Sequence, residues 1–220
     1  VVLLAILGIK LLAAGVLVLG FVGFAAARAL GRGGGGGAPI ADEPAEARTL
    51  EQLVADGFAG LQAGDYEAAI RDFETAIERE PGNPEHYFDV ARAYFASGDP
   101  DAASDLIQEA VDLTPGDSGV HESAGWLYQE LGLHEEAASE FRTALELDPQ
   151  ERSLYATIAD SYLSAGLPEQ AAAVLAEGLA DPAVAADSGS LESIGWVFLS
   201  LGDPAQAERT FNQAITAGAD

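Results

Sequence analysis

The feature that most constrains the fold of this chain is a set of glycines at almost constant spacing. Successive members of the set are separated by 34, 34, 34 and 36 residues. The set comprises Gly64, Gly98, Gly132, Gly166 and Gly202. Glycine adopts the left-handed backbone conformation without a steric penalty, so it is typical of the position where a helix ends. A fixed period of this length is typical of helical repeats that stack in sequence order.

Each repeat carries two short stretches with helical spacing of apolar residues, one on either side of its glycine. In residues 118–149 these stretches flank Gly132, and Pro149 ends the second. A small residue lies in the first stretch of every repeat, at Gly57, Ala91, Gly125, Ala159 and Gly195. A large apolar residue lies in the second, at Phe73, Ile107, Phe141, Leu175 and Phe211. Small residues let two helices approach closely and the large one fills the groove, so each repeat is predicted to be a packed helix pair.

This pattern resembles the tetratricopeptide repeat (TPR) family, in which a small residue in helix A, a glycine, further aromatic and alanine positions and a proline recur over about 34 residues. The resemblance covers residues 50–220 and implies an all-α fold, a TPR-type helical solenoid of five helix-turn-helix repeats. The implied repeats are 50–83, 84–117, 118–151, 152–187 and 188–220. The first departs from the family pattern at Asp56 and Gly60, where an apolar and an aromatic residue are usual. The alternative is a generic helical bundle, which the regular period disfavours.

The N-terminal segment has the composition of a membrane span. Residues 1–27 contain one charge, Lys10, and the uninterrupted apolar run 11–27 is 17 residues long. A transmembrane helix needs about 20 apolar residues, with about 17 as the lower limit. We therefore predict an N-terminal transmembrane helix in residues 1–30 and a Gly/Pro-rich flexible linker in residues 31–49. A cleaved signal peptide and a buried core helix are the alternatives.

The charges beside this segment support two opposite topologies. Arg28 and Arg32 follow the span, which places the repeats in the cytoplasm under the positive-inside tendency. If Lys10 instead marks the inner flank of a span at residues 11–30, the repeats face the periplasm or the extracellular space. The sequence thus predicts a single-pass membrane protein and leaves open the side on which the repeats lie.

Charge is distributed unevenly along the chain. The 36 acidic and 10 basic residues divide so that residues 1–37 carry +3 and residues 38–220 carry −29, with seven arginines and no lysine in the second part. This negative field excludes nucleic acid as a partner, because nothing offsets the repulsion of phosphate. Adaptation to high salt and an ordinary acidic repeat protein from a genome poor in lysine codons both account for the composition.

The sequence lacks the residue patterns of a catalytic or metal centre. It contains no cysteine, which excludes disulfides and thiolate-ligated metals. The three histidines, His86, His121 and His134, lie at no spacing typical of metal ligands. No phosphate-binding loop or nucleophile elbow occurs. The prediction is a protein that is not an enzyme and that uses no cofactor, metal or small-molecule substrate.

The resemblance implies that helix A of each repeat lines a concave groove that binds a partner peptide or helix. The residues predicted to bind the partner are Phe58, Leu61, Phe88, Arg92, Phe95, Trp126, Gln129, Leu163, Trp196 and Leu199. Exposed aromatic residues are typical anchors for a bound peptide, although tryptophan also packs between neighbouring repeats. Some family members grip a C-terminal carboxylate with basic residues on this face. Here only Arg92 is basic, so an apolar ligand with a basic rim is favoured.

Two functions follow from these observations. The first is a membrane-anchored TPR protein that mediates protein–protein interaction, as a scaffold or assembly factor for a membrane complex. The second is a permanent structural subunit of such a complex, held by its transmembrane helix.

Overall fold

The computed structural model describes residues 47–218. The predicted transmembrane helix, in residues 1–30, and most of the predicted linker lie outside the described residues. Within residues 47–218, none of the helices combines the length and the apolar character needed to cross a membrane.

The described part of the chain contains eleven helices and no strands. In chain order they are α1 (Leu50–Ala63), α2 (Tyr66–Arg79), α3 (Pro84–Ser97), α4 (Pro100–Leu113), α5 (Ser118–Glu130), α6 (His134–Leu147), α7 (Leu154–Ser164), α8 (Pro168–Ala180), α9 (Pro182–Ala185), α10 (Ser188–Ser200) and α11 (Pro204–Ala217). Ten of them form five pairs, α1–α2, α3–α4, α5–α6, α7–α8 and α10–α11. The remaining helix, α9, is a single turn between the last two pairs.

The pairs stack in sequence order, which makes the described residues a helical solenoid. The second helix of one pair packs on the first helix of the next, as α2 does on α3 and α6 does on α7. At the last joint α10 packs mainly on α7, and α9 contacts α8, α10 and α11. The predicted all-α solenoid is therefore confirmed for residues 47–218.

The five repeat glycines, Gly64 to Gly202, lie directly after or one residue beyond the first helix of each pair. Their φ angles are between 77° and 93°, and none of the described non-glycine residues has a positive φ. These angles belong to the left-handed region of backbone conformation, which glycine adopts without a steric penalty. Beyond the glycine, Asp65, Asp99 and Asp203 each accept a hydrogen bond from a backbone N–H in the first turn of the second helix, at 3.0 to 3.1 Å. Glycine and aspartate together therefore explain why the chain reverses at these three turns.

Within each pair, the small residue of the first helix matches the large residue of the second in size. A Cβ atom built on Gly57, Gly125 or Gly195 would lie 2.5 to 2.7 Å from a ring carbon of the facing phenylalanine, closer than real atoms approach. The three glycine–phenylalanine pairs are Gly57–Phe73, Gly125–Phe141 and Gly195–Phe211. The second and fourth repeats carry alanine with a smaller partner, as Ala91–Ile107 and Ala159–Leu175. Glycine–phenylalanine repeats thus alternate with repeats in which a smaller residue on the second helix leaves room for the alanine methyl group.

We expect Gly125→Ala to destabilise the protein by about 1–2 kcal/mol, since overpacking against the Phe141 ring outweighs the better helix propensity of alanine. In a Phe141→Leu background the same substitution should cost at least about 1 kcal/mol less, because the pair then resembles Ala159–Leu175. Urea unfolding of the four proteins of this double-mutant cycle measures both effects. An equal cost of Gly125→Ala in the two backgrounds would contradict the size match.

The chain preceding α1 is tied to the first pair by Arg48. Its guanidinium contacts Asp56 at 2.9 Å and Asp72 at 3.0 and 2.5 Å, and Arg79 donates to its backbone carbonyl. The hydrogen bond to Asp72 raises the pKa of Arg48 above its ordinary value. Because the side chains of Arg48 and Asp72 are both nearly buried, this ion pair fixes the point at which the chain enters the solenoid.

Candidate protein-binding face

The residues predicted to bind a partner lie on the first helix of each pair. Four of them are exposed by more than a third, namely Phe58, Phe95, Trp126 and Leu199. Five are partly exposed, namely Leu61, Arg92, Gln129, Leu163 and Trp196. We call these nine residues the helix-A face. It presents a series of large apolar side chains from α1, α3, α5, α7 and α10.

Phe88 is a correction to the predicted set. Its side chain is completely buried in the cluster that also contains Val120 and Ala124 of α5. The first helices α3 and α5 also contact each other. Phe88 therefore belongs to the core that neighbouring repeats share and has no surface left for a ligand.

Three aromatic residues of the helix-A face are held by the same kind of contact, with a phenylalanine of the second helix. Phe58, Trp126 and Trp196 each follow the glycine that accommodates a phenylalanine of the second helix. Their rings meet those phenylalanines edge to face, with centroids 5.2, 4.9 and 5.3 Å apart and interplanar angles of 74°, 71° and 69°. Such pairs contribute about 0.5–1.5 kcal/mol beyond area burial. Each ring thus packs within its own repeat, and Trp126 still leaves 45% of its surface exposed.

Polar contacts also position Trp126 and Gln129 of the face. The indole Nε1 of Trp126 donates to Oε1 of Glu122, 3.3 Å away and one helical turn earlier. The amide of Gln129 donates to the hydroxyl of Ser161 on α7 at 2.7 Å, and that buried hydroxyl donates in turn to the carbonyl of Thr157. Gln129 therefore links the faces of α5 and α7.

Arg92, the single basic residue of the helix-A face, is paired with an acid of its own helix. Its guanidinium donates to Asp89 Oδ1 at 3.2 Å. Burial raises the pKa of Asp89 to about 6, an effect that the charge of Arg92 opposes and the charge of Glu85 reinforces. The arginine thus serves to neutralise a buried carboxylate, which makes it a poor anchor for a ligand carboxylate.

We expect Asp89→Asn to change how stability depends on pH. The pKa of Asp89 is about 6 in the folded protein, against an ordinary value of 3.8. Between these two pH values the carboxyl group is protonated in the folded protein and ionised in the unfolded chain. The contribution of Asp89 to the free energy of unfolding is therefore complete below pH 3.8 and is lost as the pH rises through about 6. The loss corresponds to roughly 2–3 kcal/mol. Unfolding at pH 4 and pH 7 should show the variant gaining relative to wild type at pH 7, whereas Asp101→Asn, at an exposed position, should not. If the free energies of unfolding of wild type and Asp89→Asn changed in parallel with pH, the raised pKa of Asp89 would be contradicted.

Two of the three histidines, His86 and His121, make local polar contacts in the described structure. The ring of His121 lies 2.7 Å from Glu140 and 3.1 Å from the carbonyl of Pro115, and that of His86 lies 3.2 Å from the Asn83 amide. No group of three or more histidine, cysteine or acidic side chains within residues 47–218 is arranged to hold a metal ion.

The supporting phenylalanines and Asp89 were absent from the predicted site, although one sequence signal points to the phenylalanines. Glycine replaces alanine in the first helix only in the repeats where the second helix carries phenylalanine. That pairing identifies Phe73, Phe141 and Phe211 as supports of the ring that follows each glycine. No comparable signal marks Asp89, because its burial depends on how the repeats stack.

Comparison with known families identifies the repeat type. One tetratricopeptide repeat model matches residues 60–126, and a second matches residues 120–151 and 189–217. Together the matches span more than half of the chain. No curated protein matches the sequence.

Solved structures of similar fold are also repeat proteins. A putative kinesin light chain with nearly identical TPR-like repeats from Podosopora anserina is 16% identical, with a TM-score of 0.52 over 81% of this chain and 97% of that one. A crystal structure of MamA protein is 18% identical, with a TM-score of 0.51 over 76% of this chain and 91% of that one. MamA from Desulfovibrio magneticus RS-1, from residue 41 to its end, is 15% identical, with a TM-score of 0.50 over 77% and 95%. At these identities the likeness concerns the fold alone.

The helix pairs, the turn glycines and the family matches agree, and this repeat fold implies a scaffold for protein–protein interaction. The chain belongs to the tetratricopeptide repeat family.

Proposed function

We propose that this protein is a membrane-anchored scaffold or assembly factor that binds a peptide or helix of a partner protein on its helix-A face, at the concave groove of the solenoid. One observation carries the proposal. Three large aromatic side chains, Phe58, Trp126 and Trp196, occupy equivalent positions in alternate repeats and remain partly exposed above a phenylalanine support. Tryptophan is among the residues enriched in the few positions that dominate binding energy at protein interfaces.

The membrane part of the proposal is supported by the composition of residues 1–30. This segment holds Lys10 and Arg28 as its only charges and is otherwise long enough to span a bilayer. The glycine run in residues 33–37 would then serve as a flexible tether for the solenoid. Carbonate washing of membranes from cells expressing the full chain tests this. The full chain should stay in the pellet, and a chain beginning at residue 38 should move to the supernatant. Release of both would remove the anchor from the proposal.

The alternative, a permanent structural subunit, is supported by the same apolar segment, which would pack against other helices of a complex. The two functions predict different stoichiometries after affinity purification of the full chain from its native membrane in mild detergent. A scaffold or assembly factor recovers its partner in substoichiometric amounts, and the partner is released by competing peptides. A structural subunit recovers its complex at constant stoichiometry through every wash. Recovery of no partner protein at all would contradict both functions.

A further inference from the structure

The described first helices of all five repeats carry acidic residues, and only α3 carries a basic one, Arg92. In the described helices α5, α7 and α10 there is no lysine or arginine, and their one histidine, His121, is buried against Glu140. Four acidic residues lie on these helices, Glu122, Glu130, Asp160 and Glu192. Helices α1 and α3 likewise carry four, Glu51, Asp56, Glu85 and Asp89. What sets α5 and α10 apart is therefore the combination of an acidic residue with tryptophan.

On α5 and α10, each tryptophan is combined with a glutamate one helical turn before it. Glu122 lies four residues before Trp126 and accepts its indole N–H, at 3.3 Å. Glu192 lies four residues before Trp196 and is exposed. In the intervening repeat, Asp160 occupies the position equivalent to the tryptophans and is exposed as well. At the equivalent place in the first repeat, Val54 precedes Phe58, so the acidic partner is restricted to the tryptophan repeats.

An aromatic ring beside a carboxylate is chemically suited to a cationic side chain. The ring face attracts a guanidinium or ammonium group, and the carboxylate completes the interaction with a charge-assisted hydrogen bond. The ring in each case is already held in place by Phe141 or Phe211, so little entropy is lost when a cation settles on it. Two such places with Asp160 between them form a row across three consecutive repeats.

We infer that the face formed by α5, α7 and α10 binds a basic peptide segment of the partner, whose lysine or arginine side chains pack on Trp126 and Trp196 beside Glu122 and Glu192. This rests on the proposed function and names the partner's chemistry. The surrounding negative charge steers such a segment toward the protein. The row of three sites fixes the position of the basic segment along the face, which overall charge alone would not do.

The test uses the full chain in non-ionic detergent and follows tryptophan emission, because the protein contains only two tryptophans and both lie on this face. Three synthetic 12-residue peptides without aromatic residues serve as probes. They share an alanine–leucine frame and carry lysine, glutamine or glutamate at the same four positions. We expect the lysine peptide to change the emission saturably, with a Kd at least about tenfold below that of the glutamine peptide, and the glutamate peptide to have no effect.

The decisive comparison is between two double variants of equal net charge. Glu122→Gln with Glu192→Gln should weaken lysine-peptide binding by about tenfold or more. Glu146→Gln with Glu208→Gln removes two exposed carboxylates from the second helices of the same repeats, and should change the affinity by less than about twofold. An equal loss of affinity in the two double variants would mean that overall charge alone attracts the peptide, and it would overturn the inference. An unchanged tryptophan emission on addition of the lysine peptide would overturn it as well.

The inference and the proposed function fail in different ways. If Trp126→Ala with Trp196→Ala abolishes capture of the native partner while Glu122→Gln with Glu192→Gln leaves it unchanged, the face binds a partner that is not basic, and only the inference is overturned. If the tryptophan variant retains the partner fully, the face is not used, and both are overturned.

Discussion

Replacing Phe141 by alanine is expected to destabilise the protein by about 3–5 kcal/mol. The Phe141 side chain is fully buried, fills the space that Gly125 leaves open and supports the Trp126 ring. Since a solenoid is stabilised by contacts between neighbouring repeats, a cavity in the central pair should also uncouple the repeats on either side. Urea unfolding followed by circular dichroism measures the loss, and a broader transition would report the uncoupling.

The matched control for this substitution is Phe141→Leu, which reproduces the side chain found at Leu175 in the fourth repeat. We expect it to cost about 1–2 kcal/mol, because most of the apolar volume is kept. An alanine variant within about 1 kcal/mol of wild type would show that Phe141 does not hold the central pair together.

The second large effect concerns partner binding. Trp126→Ala combined with Trp196→Ala should weaken binding of the native partner by about 100-fold or more, since each aromatic anchor of an interface typically contributes 2 kcal/mol or more. Folding should be affected much less, because both rings are partly exposed. Quantitative recovery of the partner from solubilised native membranes, with the full-length variants as bait, measures the effect.

Leu113→Ala combined with Ile215→Ala is the control for this experiment. It removes exposed apolar surface of comparable kind from the second helices α4 and α11, at positions exposed by 38% and 71%. Partner recovery should remain at the wild-type level in this variant. A similar loss in both double variants would show that binding follows general apolar surface and does not depend on the helix-A face.

The parts of this structure that sequence predicted well are those controlled by local chemistry. A glycine with positive φ ends each first helix because no other residue adopts that conformation without strain, and its spacing marks every turn. The size match between Gly125 and Phe141 is also visible in sequence, since alanine and a smaller partner replace the two together in the second and fourth repeats.

The parts that sequence missed depend on contacts between repeats. Phe88 is equivalent to Glu122 by spacing, yet it is buried in a core cluster that also contains Val120 and Ala124 of the next repeat. The extra helix α9, which begins at Pro182 with Asp181 as its N-cap, has no counterpart in the five-repeat pattern. Helix α9 places Val184 in the core, and a single turn of helix is too short to produce a periodic pattern.

The most direct test of the proposed binding face is a fluorine NMR spectrum of the full chain labelled with 5-fluorotryptophan. The spectrum should contain two resonances, one from each tryptophan, and Trp126→Phe assigns them. On addition of the unlabelled, solubilised partner, both resonances should shift or broaden, because both rings enter the interface. Formation of the complex with both resonances unchanged would show that the partner binds elsewhere and would contradict the account.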